Sequence, residues 1–178
     1  SMRWILGLLL LFAGLFLTAS VLFYYFDWRA DMSLVSGVEQ EDPRLADLSD
    51  AIENPCGYAG AWLAERLVGR SFGLFGILIP VMIVLVGVRI IRQRPLLFNH
   101  SILSLFLIMI LGSLTLGFAF TDKWSLCCST GWGGAFGIET AALLRTHIGV
   151  FGTLILLVGG WILTGVFINR NFINKVNE

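Results

Sequence analysis

Gly57-Tyr58-Ala59-Gly60-Ala61-Trp62-Leu63-Ala64 opens a stretch that closes on Gly73-Leu74-Phe75-Gly76, and Gly133-Gly134-Ala135-Phe136-Gly137 opens a second that closes on Gly149-Val150-Phe151-Gly152. Sliding residues 57–79 forward by 76 positions gives identities at Gly57/Gly133, Ala59/Ala135, Leu67/Leu143, Gly73/Gly149, Phe75/Phe151, Gly76/Gly152, Leu78/Leu154 and Ile79/Ile155. Each copy runs directly into a long apolar segment. A fixed internal period marks duplicated units, and in membrane proteins it marks paired halves. The chain therefore reads as two related halves, each ending in a membrane helix.

Composition agrees. With 57% hydrophobic and 13% charged residues the chain is no ordinary soluble domain. Crossing a hydrocarbon layer takes roughly 20 helical residues. Four runs suffice: Trp4–Phe26, Phe72–Ile91, Ser101–Phe120 and Ile148–Ile168, none with a charge away from its ends. The first is too long for the h-region of a signal peptide and is followed by no small-x-small cleavage site, so it reads as a retained span. Ser1-Met2 reads as an addition ahead of a chosen start, and the chain is expected to be a fragment of a longer protein.

Orientation follows from basic residues in the short connections. Arg89, Arg92 and Arg94 flank the second connection (92–100), Arg3 precedes the first span, and Arg170 and Lys175 follow the last. Both termini and this connection are expected in the cytoplasm. The first connection (27–71) carries nine acidic residues against four arginines and is expected outside.

Within that segment Asp42-Pro43 offers an N-cap followed by proline at the first helical position, Leu45, Leu48 and Ile52 share a face, and Asn54-Pro55 is a stop. The pattern predicts a short helix near 43–53, preceded by an extended piece around 32–38. Gly60, Leu63, Ala64, Leu67 and Val68 then form an apolar stripe opposite Glu65, Arg66, Gly69 and Arg70, predicting an amphipathic helix near 60–70 lying on the outer surface. Gly73 and Gly76 give room to turn into the second span, where Pro80 is expected to kink the helix. The outer segment 121–147 repeats the plan, with a short helix near 135–146 and Phe136, Thr140, Leu143 and Leu144 on its stripe. Glu139 falls where Leu63 sits and so reads as a carboxylate on the buried face, pairing locally with Arg145 or Lys123, or with Arg66, Arg70 or a partner subunit.

Little chemistry is offered. Cys56 leads into the first copy and Cys127-Cys128 into the second, so a disulfide from Cys56 to Cys127 or Cys128 stands beside free thiols as a reading. His100 and His147 fall on opposite sides, which disfavours a metal site. The sequence has no Gly-x-x-x-x-Gly-Lys-Ser/Thr loop, Gly-x-Ser-x-Gly elbow or His-Glu-x-x-His pair, so neither catalytic residues nor cofactors are expected. Trp28, Trp62, Trp124 and Trp132 read as interfacial anchors, and the basic residues as topology determinants and lipid contacts with no direct nucleic-acid binding.

Asn54-Pro55-Cys56-Gly57-Tyr58-Ala59-Gly60-Ala61-Trp62-Leu63-Ala64-Glu65, followed by Phe72-Gly73-Leu74-Phe75-Gly76 and a proline-bearing span, resembles the N-terminal four-helix membrane domain of the FtsK/SpoIIIE DNA translocases. Gly133 to Gly137 and Gly149 to Gly152 resemble the stretch before that family's fourth helix. The resemblance implies an all-α integral membrane domain in the bacterial inner membrane. It would anchor a hexameric, ATP- and Mg-dependent DNA pump at the division septum and contact membrane proteins of the division machinery. The motor itself would lie outside this chain. Glu65, Arg66, Arg70, Glu139 and Arg145 are the candidate interaction residues. Two other readings stay open. A four-helix adhesion protein of claudin or tetraspanin type is similar in span number and in Trp124-x-x-Cys127-Cys128, and a small transporter or channel subunit would also account for an internal repeat.

Overall fold

The computed structural model describes residues 2–35, 51–93, 100–120 and 130–169. All regular structure among them is helical. Helix α1 (Met2–Val35) contains the first apolar run but does not stop with it. Residues 27–35 include neither glycine nor proline, so nothing in the backbone ends the helix at Phe26. The helix expected near 43–53 and the extended piece near 32–38 fall largely outside the described residues, while 51–54 form a turn and irregular chain.

The second span is built in four steps. Helix α2 (Gly57–Leu67) passes into a π turn (Val68–Phe72), then a 3₁₀ turn (Gly73–Ile77), then helix α3 (Leu78–Ile91). Pro80, where a kink is expected, follows the change from 3₁₀ to α-helix by three residues. It sits in the first turn of α3, where a missing N–H breaks no intrahelical bond. The third span is α4 (His100–Ala119). The fourth, α5 (Gly134–Ile168), contains both the expected short helix and the expected span, separated only by a break at Gly149 with φ 73° and ψ 179°. Among the described residues, four candidate spans are long and apolar enough to cross a membrane.

Small residues let the spans approach closely. Gly7 of α1 faces Gly87 and Ile91 of α3, and Gly14 faces Pro80 and Val84, so the two helices run antiparallel. The part of α5 beyond Gly149 lies on α4, where Leu111 covers Gly160 and Trp161 Nε1 donates to the Thr115 hydroxyl at 2.9 Å. The α1/α3 contacts bring Arg3, Arg89 and Arg92 to one end, here termed the basic end; the opposite end holds the glycine turns and is termed the elbow end. Arg94, Arg170 and Lys175 lie outside the described residues.

Helix α2 does not lie across the top of the bundle. Cys56 Sγ is 4.0 Å from the Phe16 carbonyl, Gly60 faces Ser20, and Glu65 meets Tyr24, so α2 climbs beside the second half of the first apolar run. At 1.5 Å per residue, Phe16 and Ser20 stand about 15 and 9 Å short of Phe26, the end of that run. The helix starts at this depth because its glycine and alanine face, Gly60, Ala61 and Ala64, fits against α1. Its amphipathic pattern is a packing pattern, not a surface one.

The duplication is visible in the backbone, with one residue of slippage. Gly57 N donates to Asn54 O and Gly60 N to Cys56 O; Gly134 N donates to Gly131 O and Gly137 N to Gly133 O. Gly57 and Gly134 share left-handed φ values of 68° and 66°. The helix starts are thus 77 residues apart, whereas the turns at Gly73 and Gly149 are 76 apart. A π turn accommodates one inserted residue without ending a helix. The π turn at Val68–Phe72 absorbs the extra residue of the first copy. Slippage also corrects the second stripe. Glu139 matches Trp62 instead of Leu63 and is exposed, as is Leu143; Gly134, Gly137 and Ala141 form the buried line.

A methyl group at Gly73 would overlap Trp132 O and the Gly134 amide, and φ of 61° disfavours any L side chain. Gly165 is helical and faces open space. Gly73→Ala is therefore expected to lower the melting temperature of the detergent-solubilised protein sharply, by more than the about 1–3 kcal/mol of backbone strain alone. Gly165→Ala should leave it unchanged or slightly raised. Equal melting temperatures for the two variants would refute the junction described next.

Candidate interaction site at the glycine elbows

The two halves meet backbone to backbone. Gly73, in the turn of the first copy, abuts Trp132, Gly133 and Gly134 at the helix start of the second, and Gly134 in turn faces Gly73, Ser71 and Val68. Leu74 N donates to Trp132 O at 2.9 Å, Thr130 Oγ1 donates to Gly69 O, and Ser113 Oγ donates to Gly133 O at 2.6 Å. Phe72 and Phe136 pack with centroids 5.0 Å apart and their rings tilted by 54°. Phe75 reaches across to α4, its ring filling the space beside Gly112. Gly137 sits against Ser113, as Gly60 sits against Ser20 in the first half. Of the predicted glycines, Gly73, Gly133 and Gly137 are brought together here; Gly76 packs on Leu67, Gly152 faces Ile148, and no described residue lies within 4 Å of a Cβ built at Gly57 or Gly149.

Below the first helix start lies a buried polar knot. Asp31, fully buried, accepts from the backbone N–H of Glu53 at 2.8 Å and of Asn54 at 3.1 Å. Asn54 Nδ2 donates to Ser20 O at 3.0 Å, while its Oδ1 accepts from Cys56 N at 3.0 Å. Free backbone groups inside an apolar layer are costly, so these side chains take the place of the water that a surface loop would use. Tyr25 OH donates to Leu74 O at 2.6 Å and ties the same helix to the 3₁₀ turn.

The charged candidates separate into different roles. Glu65 is buried, contrary to its expected place on the polar face, because α2 presents that side to Tyr24, whose hydroxyl donates to its carboxylate. It is a packing residue of α1 and α2. Arg66 is exposed and stacks on Trp62 at 4.2 Å, and Arg70 is exposed. Glu139 makes no ion pair with Arg66, Arg70 or Arg145 among the described residues. Arg145 lies over the Phe118 ring at 4.5 Å and donates to Phe118 O, while its Nε is buried without a hydrogen-bond partner. Trp28 packs on the Val21, Tyr24, Ala64 and Val68 cluster and Trp62 on Tyr58 and Ala61, so both pack against the core. Cys56 is a half-buried free thiol; Cys127, Cys128, Lys123 and Trp124 lie outside the described residues. No group of three His, Cys, Asp or Glu side chains suited to a metal occurs among the described residues.

Sequence reasoning missed Tyr24, Asp31 and the double role of Asn54. Ser20 and Ser113 carried the available signal, as hydroxyls within apolar runs facing the two glycine-rich helix starts.

Two helix pairs in parallel repeat, joined by glycine backbone at one end and carrying basic residues at the other, define a polytopic membrane domain. The 4TM region of the DNA translocases FtsK/SpoIIIE matches residues 2–176, and the chain belongs to that family. That match favours neither the adhesion nor the transporter reading. No curated protein and no solved structure matches the chain.

Removing the Asn54 side chain takes away two of the hydrogen bonds that hold the start of α2 against α1, each worth about 1 kcal/mol net. In a Cys127→Ser, Cys128→Ser background, Asn54→Ala should speed modification of Cys56 by a small maleimide several-fold. Unchanged reactivity would show that the knot does not hold this segment closed.

Proposed function

We propose that this domain tethers a cytoplasmic, ATP-driven DNA pump to the inner membrane at the division septum, assembles with further copies of itself and contacts membrane proteins of the division machinery. Membership of the FtsK/SpoIIIE 4TM family carries the reading. The 178 residues contain no phosphate loop, so ATP and Mg belong to the motor and not to this domain. The chain's part is mechanical.

The arrangement of charge supports this. Arg3, Arg89 and Arg92 share the end at which α5 finishes, and clustered arginines beside spans are retained in the cytoplasm, where anionic headgroups attract them. A motor joined beyond that end would stand on the DNA side of the membrane. The elbow end then faces the periplasm. There the exposed Arg66, Arg70 and Glu139 are the side chains through which division proteins would be met.

A fluorescent fusion of the intact protein should gather at division sites, and reporter enzymes fused after Asn169 and within 36–50 should report cytoplasm and periplasm respectively. An even distribution around the cell would overturn the septal role. Reversed reporters would overturn the orientation.

A further inference from the structure

The contact that joins the two halves is used once, yet the duplication supplies its parts twice. The turn of the first copy, Gly73, is filled by the helix start of the second, Gly134. The remaining turn, Gly149, and the remaining helix start, Gly57, also have a left-handed φ, and no described residue lies within 4 Å of a Cβ built at either. Among the described residues, two matching halves of one joint are left unused. We infer that they meet between chains: the α5 elbow of one copy docks on the α1/α2 face of the next, repeating between copies the joint that Gly73 and Gly134 make within one.

Three further correspondences support this joint. Phe75 fills the space beside Gly112 of the following half, and its match, Phe151, is 85% exposed. Ser20 and Ser113 hold equivalent places under Gly60 and Gly137, so the position equivalent to Gly112 is Ala19, a small residue on α1 suited to receive Phe151. In the filled joint Thr130 donates to Gly69 O. In the register of the two helix starts Thr130 matches Glu53, whose side chain is exposed, and in the register of the two turns Gly69 matches Arg145, whose half-buried guanidinium lies over Phe118 of its own chain. The joint between chains thus gains a carboxylate on one side and a guanidinium on the other, where the internal joint has a hydroxyl and a carbonyl.

Because the two surfaces differ, the interface is head-to-tail, the kind that closes into a ring when its rotation permits. Assembly through this joint does not depend on septal anchoring, and each can fail without the other.

The test uses the intact protein in its native membrane. A photoactivatable benzophenone side chain replaces Phe151, where exposure spares the fold, and a second, differently tagged copy is co-expressed. Crosslinked peptides should contain Ala19 or residues 53–57 of the other copy. Crosslinks only to lipid, or to another face of the second copy, overturn the inference. Glu53→Arg leaves the backbone bond to Asp31 in place and should lower the crosslink yield several-fold, as should Arg145→Glu, while the two together restore it. Yield unaffected by Glu53→Arg, or no recovery in a double variant that retains the parent's melting temperature, overturns it as well.

Discussion

Everything at the elbow end depends on one steric constraint: two backbones pass so closely at Gly73 and Gly133–Gly134 that no side chain fits between them. In lipid there is no hydrophobic drive to press helices together, so close backbone packing and internal hydrogen bonds carry the association. The elbow concentrates both. Leu74 N bonds Trp132 O across the joint, Thr130 and Ser113 reach the carbonyls of Gly69 and Gly133, and Tyr25 holds the 3₁₀ turn from the α1 side. Each such bond in a membrane averages only about 0.6 kcal/mol. Their value is that they converge on a turn whose backbone would otherwise be left bare at the depth of the apolar layer.

The same constraint explains why α2 is placed where it is. A glycine turn that must meet the neighbouring half cannot sit on top of the bundle, so the helix leading to it begins beside Phe16 and Ser20 and climbs along α1. That route buries Asn54, just ahead of α2, and the backbone there needs acceptors and donors from the protein. Asp31 and Asn54 supply them. The continuation of α1 past its apolar run is thereby accounted for, since Asp31 is carried on that extra turn of helix.

Much of this was legible in the sequence, because the strongest signals were periodic. Four apolar runs, the duplicated glycines and the basic connections placed the spans, the repeat and the shared end of Arg3, Arg89 and Arg92. What escaped were effects of one residue or of tertiary packing. An identity match at 76 positions hid the 77-residue spacing of the helix starts, and that slip alone moved Glu139 from a buried stripe to an exposed one. Glu65 was placed on a polar face because helical periodicity distinguishes apolar from polar sides, not which polar residues a neighbouring tyrosine will cover. The 3₁₀ turn ahead of Pro80 has no sequence signal of its own, so the sequence does not show that the proline stands in the first turn of α3.

The π turn joins these observations. Inserting a residue into a helix ordinarily rotates all that follows by about 100°. Here Gly73 would have turned away from Gly134 and the joint would have been lost. Widening one turn instead keeps the helix continuous and returns Gly73 to the position that Gly149 holds in the second copy, and Ser71 Oγ donates to Arg66 O at 2.7 Å across the widened turn. The two elbow glycines therefore share a positive φ although the helices before them differ in length, with ψ of −136° at Gly73 and 179° at Gly149. The surroundings of Gly73 enforce that geometry sterically. At Gly149 the positive φ turns the chain from the short helix into the span that packs on α4, and Thr153 Oγ1 donates to the Gly149 carbonyl at 2.7 Å.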